Sequence, residues 1–365
     1  MNYCRSVVNK EFVSVLYYSP TRAHCRTLST GVIADTDPGD KPRLRAVDLA
    51  QKIQKEKLKT PEDQTPVSAL QQRVTELRRF TKQLQNVHPN VLAKHLHRGV
   101  LYQDKDLVII NKPYGIAVHD STTNSISSVL PVLSKMMDGM KVKTDSLLLP
   151  CLGLEKEVTG VLPLARSVKA AEHIANLHRH NQVLRKYWAV TVGVPVPAEG
   201  IVDIPIIERE VAGHQPHYKM SLSPLFRMND DGDGLTKMRA HRQAQPAVTK
   251  YKVLDSGSGC SLVELEPLTD VKHQLRVHMA FALSCPILGD HKYSHWNKLA
   301  PQKLPERILK RLKLEQSKSR NLPLHLHARE LMVQQTPEID LTCSLPKYFF
   351  QTLNLFRLTF TEKDK

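Results

Sequence analysis

The sequence LGLEKEVTGVLPLA at residues 152–165 places a polar loop containing the carboxylate Glu155 before a short apolar run. Short apolar runs that include β-branched residues predict buried strands. Four other runs have this character: DLVIINKP, KYWAVTVGVP, AVTKYKVL and CSLVELEPL, at residues 106–113, 186–195, 247–254 and 260–268. The loop carrying Glu155 therefore precedes one strand of a predicted sheet.

Segments with helical spacing lie between the predicted strands. VKAAEHIANLHRH at residues 168–180 repeats apolar residues at this spacing. KHQLRVHMAFAL at residues 272–283 places four residues on one helical face: Leu275, His278, Met279 and Ala282. LPERILKRLKLEQSKSR at residues 304–320 has the pattern of a basic amphipathic helix, whereas residues 226–246 lack periodicity and are predicted to form a mobile loop. The pattern predicts a mixed α and β domain.

The first thirty residues have the composition of a targeting segment. They are rich in hydroxyl residues and combine apolar positions with four basic residues, Arg5, Lys10, Arg22 and Arg26. Glu11 is the only acid among them, and with Lys10 it interrupts the apolar core that a secretory signal requires. Residues 1–30 are therefore predicted to be a mitochondrial transit peptide, which favours the mitochondrial matrix.

Composition also suggests where the ordered domain begins and ends. Residues 31–66 have few large apolar residues and are predicted to be a disordered linker. Residues 67–100 form a basic N-terminal segment whose apolar residues recur at helical spacing: Leu70, Val74, Leu77, Leu84 and Val87. We interpret that segment as helix docked on a main domain at residues 101–345, with an RNA-binding arm as the alternative. A C-terminal tail is predicted at residues 346–365.

The balance of charge points to a polyanionic partner. The 365 residues contain 52 Lys and Arg against 36 Asp and Glu, a net charge of +16. Basic proteins bind nucleic acids because each phosphate contact releases condensed counterions. The alternative is a basic presequence combined with a generally basic surface. No apolar run is long enough to span a bilayer, so no membrane span is expected.

The sequence offers no pattern typical of a metal or nucleotide cofactor. Its six cysteines include no Cys-x-x-Cys pair, and it contains no Walker loop, G-x-S-x-G or G-x-G-x-x-G motif. His325 and His327 alternate on a predicted strand, but no carboxylate or thiol lies nearby at ligand spacing. Packing and hydrogen-bonding roles are therefore favoured over metal binding for these two residues.

Six segments, taken together and in order, resemble the RluA-type pseudouridine synthase family. They are NKPYGIAVH, LGLEKEVTGVLPLA, KYWAVTVG, KHQLRVHMA, PILGDHKY and LPLHLHARELMV, and they occur between residues 101 and 333. The similarity is greatest to the vertebrate mitochondrial members without an S4 RNA-binding domain. It implies the α+β pseudouridine synthase fold, a long mixed but mostly antiparallel sheet flanked by helices, with a basic cleft across its middle.

The resemblance also implies a reaction. An RNA uridine is flipped into the cleft, its glycosidic bond is broken, and the base is rejoined to the sugar through C5. The implied protein is an isomerase that uses a carboxylate and neither a metal nor an organic cofactor. Its expected partner is mitochondrial rRNA, tRNA or mRNA, and no DNA is expected.

Residue roles are carried over from the matching motifs. Glu155 stands at the position of the family's catalytic aspartate, and Arg276 at that of the arginine that pairs with it. Tyr187 matches the tyrosine that lies against the flipped base. His273 and Gln274 match the supporting helix and complete the expected substrate-binding set.

The chain departs from the family pattern inside the catalytic loop. Glu155 adds a methylene relative to aspartate, and Gly153 stands where relatives have an arginine. Asp270 and Val271 replace a Gly-Arg pair ahead of the supporting helix. Three hypotheses follow: an active synthase with Glu155 as nucleophile, a catalytically impaired RNA-binding relative acting in mitochondrial ribosome assembly, or a basic scaffold for ribosome-assembly factors.

Overall fold

The computed structural model describes most of the chain from residue 68 to residue 360. The described ranges are 68–120, 122–138, 147–211, 217–224, 226–228, 235–237, 241–335 and 338–360. The predicted transit peptide at 1–30 and the predicted linker at 31–66 lie outside these ranges.

The helices are spread along the chain, with a pair near the N-terminal end of the described part. They are α1 (Ala69–Asn86), α2 (Pro89–Arg98), α3 (Ile126–Asp138), α4 (Val168–Arg179), α5 (Gln274–Val277), α6 (Glu306–Leu312) and α7 (Lys347–Phe356). A π-helical turn, His278–Ala282, continues α5, and a 3₁₀ helix, Gln316–Asn321, follows α6. None of the described helices is long and apolar enough to cross a membrane.

The strands include all five runs predicted from sequence, which are β2, β4, β5, β11 and β12. In chain order the strands are β1 (Val100–Gln103), β2 (Leu107–Lys112), β3 (Leu149–Pro150), β4 (Thr159–Ala165), β5 (Val183–Val192), β6 (Glu199–Asp203), β7 (Ile206–Val211), β8 (His217–Leu222), β9 (Phe226–Met228), β10 (Leu235–Lys237), β11 (Val248–Gly257), β12 (Cys260–Pro267), β13 (Leu326–Val333) and β14 (Ile339–Thr342).

One long mixed sheet dominates the described residues. Eight of its strands lie in the order β1-β2-β4-β13-β5-β12-β11-β6, with β14 added beside β13 and β3 beside β4. Within the described part the pairing is antiparallel except where β13 runs parallel to β4. The α+β class and the mostly antiparallel sheet flanked by helices are confirmed.

The parallel contact between β4 and β13 depends on a glycine. Gly160 has φ +112°, and a Cβ at this position would lie 2.1 Å from the carbonyl oxygen of Ala328. Only glycine permits this approach, because other residues would collide with the neighbouring backbone. Thr159 and Gly160 are the first two residues of β4.

Strand β5 separates two parts of the core. Trp188 and Val190 pack with the helices on one face, whereas Tyr187 and Ala189 pack on the other face with residues of the cleft. Side chains alternate between the faces of a strand, so this register determines which residues reach the cleft. Tyr187 is thereby directed away from the large helix-covered core.

The basic segment at 67–100 consists of α1 and α2. The hydroxyl of Ser68 accepts a hydrogen bond from the backbone N–H of Gln71 and caps α1, and Pro89 begins α2. Leu70, Val74 and Leu84 are the buried residues of α1. The two helices pack against the main domain through this apolar face.

Two expectations from the sequence, one for the C-terminal residues and one for a loop, differ from the structure. Residues 346–365 were predicted to be a tail, but α7 buries Tyr348, Phe349, Leu353 and Phe356 in the same core cluster as Trp188. Their apolar spacing covers one helical face, so burial favours a packed helix. The predicted mobile loop at 226–246 contains the short paired strands β9 and β10.

Candidate functional site

The loop between β3 and β4 carries Glu155 and is held in place by a hydrogen bond from a buried lysine. Lys112 is fully buried at the end of β2, and its Nζ donates to the carbonyl oxygens of Pro113 at 3.1 Å, Ile116 at 2.8 Å and Lys156 at 3.0 Å. Burial lowers the pKa of Lys112 to about 7. The bond to Lys156 fixes the residue that follows Glu155, so Lys112 positions the loop rather than touching the cleft.

Glu155 lies directly against Arg276, as the sequence predicted. The Oε2 atom of Glu155 accepts a hydrogen bond of 2.7 Å from Nη1 of Arg276. The carboxylate is 27% exposed and the guanidinium 4% exposed, so the acid faces the cleft while its partner lies beneath it. This geometry presents an accessible carboxylate on a fixed cation.

A second carboxylate holds the other edge of the same guanidinium. Asp290 accepts from Nε of Arg276 at 2.9 Å and from Nη2 at 2.8 Å, and its side chain is fully buried. Asp290 also accepts from the backbone N–H groups of Lys292 and Tyr293. The planar fork of arginine suits such two-point binding, which leaves Nη1 free to face Glu155.

Opposing effects act on the pKa of Glu155. Burial raises the pKa of Glu155, and the neighbouring Arg276 works against that rise. Glu157 adds negative charge, with its Oε2 atom 3.4 Å from Nη1 of Arg276. The net direction is upward, so Glu155 takes up a proton more readily than an exposed glutamate does.

His273 stands at the start of α5 and contributes an uncharged ring. Its backbone has φ +57°, its Nδ1 is hydrogen-bonded to the hydroxyl of Tyr293, and its Nε2 lies 3.7 Å from Oε2 of Glu155. Burial, reinforced by Arg276, lowers the pKa of His273 to about 3. The imidazole is therefore neutral near pH 7 and does not compete with Arg276 for the carboxylate.

Gln274 is almost wholly buried, and its amide is used within the protein. Its Oε1 accepts from the hydroxyl of Thr269 at 2.8 Å, and its Nε2 donates to the carbonyl oxygen of Val248 at 2.8 Å. These bonds join α5 to β11 and to the end of β12. Gln274 lies in the cleft wall, and its hydrogen bonds give it a structural role. Its expected role in substrate binding stays a prediction.

Tyr187 lines the cleft from β5. The cleft encloses about 290 Å³ and brings together Glu155, Tyr187, His273 and Gln274, with Arg276 behind Glu155. Burial raises the pKa of Tyr187, so its phenol is protonated at neutral pH. All five residues named from the sequence are thus gathered at one place.

A further arginine, Arg185, lines the cleft, and the sequence analysis did not indicate it. Nη2 of Arg185 lies 3.3 Å from Oδ1 of Asp270, and Nη1 lies 3.5 Å from the carbonyl oxygen of Gly153. A hydrogen bond from His178, together with Arg185, lowers the pKa of Asp270 to about 2. The space beside Gly153 is open, since a Cβ there would meet nothing within 4 Å.

Sequence signals existed for two of the missed residues. Arg185 precedes Tyr187 by two positions on a strand, so the period of two already places both on one face. Asp290 falls within PILGDHKY, a segment that resembled the family without indicating a role for its acid. For Lys112, nothing local in the sequence indicates that its ammonium reaches the carbonyl oxygen of Lys156.

His325, which directly precedes β13, and His327 within it are both buried and hydrogen-bonded inside the protein. His325 is bonded to the carbonyl oxygen of Pro323 at 2.8 Å and to the hydroxyl of Thr352 at 2.9 Å, and His327 to the hydroxyl of Thr159 at 2.8 Å. Over the part of the chain that the structure describes, no group of three or more His, Cys, Asp or Glu is arranged to hold a metal ion.

Comparison with known sequences gives a consistent result. The family model described as RNA pseudouridylate synthase matches residues 106–281. The protein named "Pseudouridylate synthase RPUSD4, mitochondrial" from Danio rerio is 56% identical, over 88% of this chain and 91% of that protein. The Homo sapiens protein of the same name is 52% identical, over 88% of this chain and 86% of its own length.

Comparison with solved structures points the same way. A structure titled "Human RNA Pseudouridylate Synthase Domain Containing 4" superposes with a TM-score of 0.67 and 52% sequence identity. The match covers 74% of this chain and 97% of that one.

Proposed function

The chain belongs to the RNA pseudouridylate synthase family, and from this premise we propose that it isomerises uridine to pseudouridine in mitochondrial rRNA, tRNA or mRNA, with Glu155 as the catalytic carboxylate. The observation that carries the proposal is the 2.7 Å contact between Glu155 and Arg276 at the edge of the cleft. The curated relatives are named as mitochondrial, and with the composition of residues 1–30 this supports the mitochondrial matrix as the compartment.

The proposed chemistry needs little beyond these groups. The bond between N1 of uracil and C1′ breaks, the base turns, and a bond forms between C5 and C1′. The hydrogen on C5 leaves as a proton and one proton is gained at N1, so the product is an isomer of the substrate. A carboxylate assists by attacking C1′ or by stabilising positive charge there.

Each neighbour of Glu155 has a corresponding proposed task. Arg276, fixed by Asp290, keeps the carboxylate ionised and directed toward the cleft. Tyr187 offers a ring against which the extracted base packs. Extracting a base from its stack costs a few kcal/mol, and stacking and phosphate contacts must offset that cost.

A specific observation also favours a second function, in which the protein binds RNA during mitochondrial ribosome assembly without turnover. Glu155 is about 1.5 Å longer than an aspartate, and the space beside Gly153 is open where the family pattern has an arginine. A displacement of about 1 Å can cost on the order of 100-fold in rate. Under this alternative the cleft still binds RNA, and the protein associates with ribosome-assembly factors.

The decisive experiment maps pseudouridine in mitochondrial RNA from cells with and without the protein. Cells lacking it are rescued with the wild type, with Glu155→Gln, or with Glu172→Gln as a matched control for the same chemical change on the exposed side of α4. We expect some sites to vanish and to return with the wild type and the control only. Glu155→Gln should lose activity by roughly 1000-fold or more.

RNA affinity should be kept under either function, so pseudouridine mapping is what separates the two. Because glutamine has nearly the shape of glutamate, Glu155→Gln should bind uridine-containing RNA almost as tightly as the wild type. Return of the sites with Glu155→Gln would exclude this residue as the catalyst. Unchanged sites together with altered ribosome assembly would establish the non-catalytic function instead.

A further inference from the structure

A large aromatic side chain is exposed in the segment that follows the buried Asp290. Trp296 is 56% exposed, whereas the other of the two tryptophans in the sequence, Trp188, is fully buried. Tryptophan is highly buried on average in folded proteins, and exposed examples concentrate at binding surfaces. Neither the sequence motifs nor the proposed catalytic roles use Trp296.

The loop that carries Trp296 is fixed from below. Lys219 on β8 is 2% exposed, and its Nζ donates to the carbonyl oxygens of His295 at 2.8 Å and Lys298 at 2.9 Å, on either side of the tryptophan. His295 is in turn bonded to the carbonyl oxygen of Pro301 at 3.2 Å. A buried ammonium is costly unless it is hydrogen-bonded, so this arrangement holds the loop in one conformation.

A series of ring contacts connects Trp296 to the cleft. The Trp296 ring meets Phe281 edge to face at 4.7 Å between centroids, Phe281 meets Tyr293 at 6.0 Å, and Tyr293 meets His273 at 5.4 Å. His273 lies 3.7 Å from Glu155. Trp296 is therefore braced on one side by Phe281 and is linked to the cleft-lining His273 through Phe281 and Tyr293.

The charge around the exposed ring matches a phosphate chain. Residues 291–305, HKYSHWNKLAPQKLP, contain three lysines and no acid. The acid that precedes them, Asp290, is buried and bound to Arg276. An exposed aromatic ring among lysines suits single-stranded nucleic acid, in which bases stack and phosphates meet cations.

We propose that Trp296 is a stacking platform for an unpaired nucleobase of the RNA strand that carries the uridine bound in the cleft, with Lys292 and Lys298 contacting the phosphates around that base. The inference rests on the proposed RNA substrate. It adds a second base-binding position to the cleft, and it applies whether or not Glu155 supports turnover.

The test measures the affinity of the full chain for a fluorescein-labelled, single-stranded oligouridylate of about 15 nucleotides across a range of salt concentrations. Trp296→Ala should weaken binding by about 10-fold, within the range that stacking one base provides. The dependence of affinity on salt should stay unchanged, because the ring carries no charge. Lys298→Ala should instead reduce that salt dependence.

Matched probes and variants make the result specific. Trp296→Phe should recover most of the affinity, and Phe350→Ala, which removes a 49% exposed aromatic from α7, should leave it unchanged. A duplex of oligouridylate with oligoadenylate should bind Trp296→Ala and the wild type equally, since its bases are already stacked. Fluorescence quenching by the single strand should come from Trp296 and disappear in Trp296→Phe.

Equal single-strand affinity of the wild type and Trp296→Ala would overturn the inference and leave the exposed ring to a protein partner. An equal loss on the duplex would also overturn it. A tenfold loss on the single strand alone supports it, even if pseudouridine mapping finds no dependent site, so the two proposals fail separately. Absence of any RNA binding by the wild type would defeat both.

Discussion

Two buried arginines support the cleft, and they are held in different ways. Two nitrogens of Arg276 donate hydrogen bonds to Asp290, which is fully buried. Arg185 has a single 3.3 Å contact with Asp270, whose side chain is 54% exposed. A buried partner cannot exchange with solvent or ligand, but an exposed one can. Arg276 is therefore a fixed part of the proposed catalytic centre, whereas the Arg185 pair belongs to a cleft wall that a bound ligand can rearrange.

The largest expected difference between the two arginines is in stability. Asp290→Asn leaves the guanidinium of Arg276 buried without its main counter-charge and should lower the free energy of unfolding by about 3–5 kcal/mol. Asp270→Asn, the matched change at a carboxylate that is 54% exposed, should cost less, about 1–2 kcal/mol, because water can still reach the partner of Arg185. Urea unfolding of both variants measures this. Equal losses would show that the two arginines are held alike.

The next largest difference concerns turnover on RNA. Arg276→Lys keeps the charge but has one nitrogen, which cannot contact Asp290 and Glu155 together, so the carboxylate shifts and kcat should fall by about 100-fold. KM should change little, because the lysine is equally cationic. Arg185→Lys serves as the control and should lower kcat only by a few-fold. A comparable fall in both variants would remove the special position of Arg276.

The smallest effect expected is in the pH dependence. Burial raises the pKa of Glu155, so kcat should fall on acidification with a midpoint above about 4.3, the value of an exposed glutamate. His273, with a pKa of about 3, does not titrate in this range. A pH–rate profile of kcat gives the midpoint, and a value at or below 4 would contradict the raised pKa.

The Arg185 pair should titrate in a separate range. The pKa of Asp270 is lowered to about 2, so the stability from its ionised form is complete above about 3.9 and is lost as the pH falls through 2. Asp270→Asn should therefore leave the acid limb of kcat where it is in the wild type. A shifted limb in this variant would mean that the two arginine sites are coupled.

Local pattern was enough to predict five of the described strands and the helical segment at residues 272–283, which consists of α5 and the π-helical turn. The runs that became β2, β4, β5, β11 and β12 are apolar over short lengths, and the motifs carry Glu155 and Arg276 in recognisable contexts. The helix α7 was also within reach, because KYFFQTLNLF has helical spacing of large apolar residues. It was missed because residues near the end of the chain were interpreted as a tail.

Contacts between distant segments could not be predicted in this way. The ammonium of Lys112 reaches the carbonyl oxygen of Lys156, and Lys219 reaches the loop of Trp296, through tertiary packing that leaves no local periodicity. The same holds for the pairing of Arg185 with Asp270. Sequence indicated the candidate site residues that the fold brings together, whereas the contacts that orient them became visible only in the structure.

The contact between α1 and α7 has a consequence for biosynthesis. Leu70 and Val74 near the start of the described chain share one core cluster with Phe349 and Phe356 near its end. At about 5–20 residues per second, roughly 15 to 60 s pass between translation of α1 and translation of α7. During that interval α1 lacks its apolar partner, so the nascent protein exposes the apolar face of a basic helix. Chaperones are suited to shield that face until α7 has been translated.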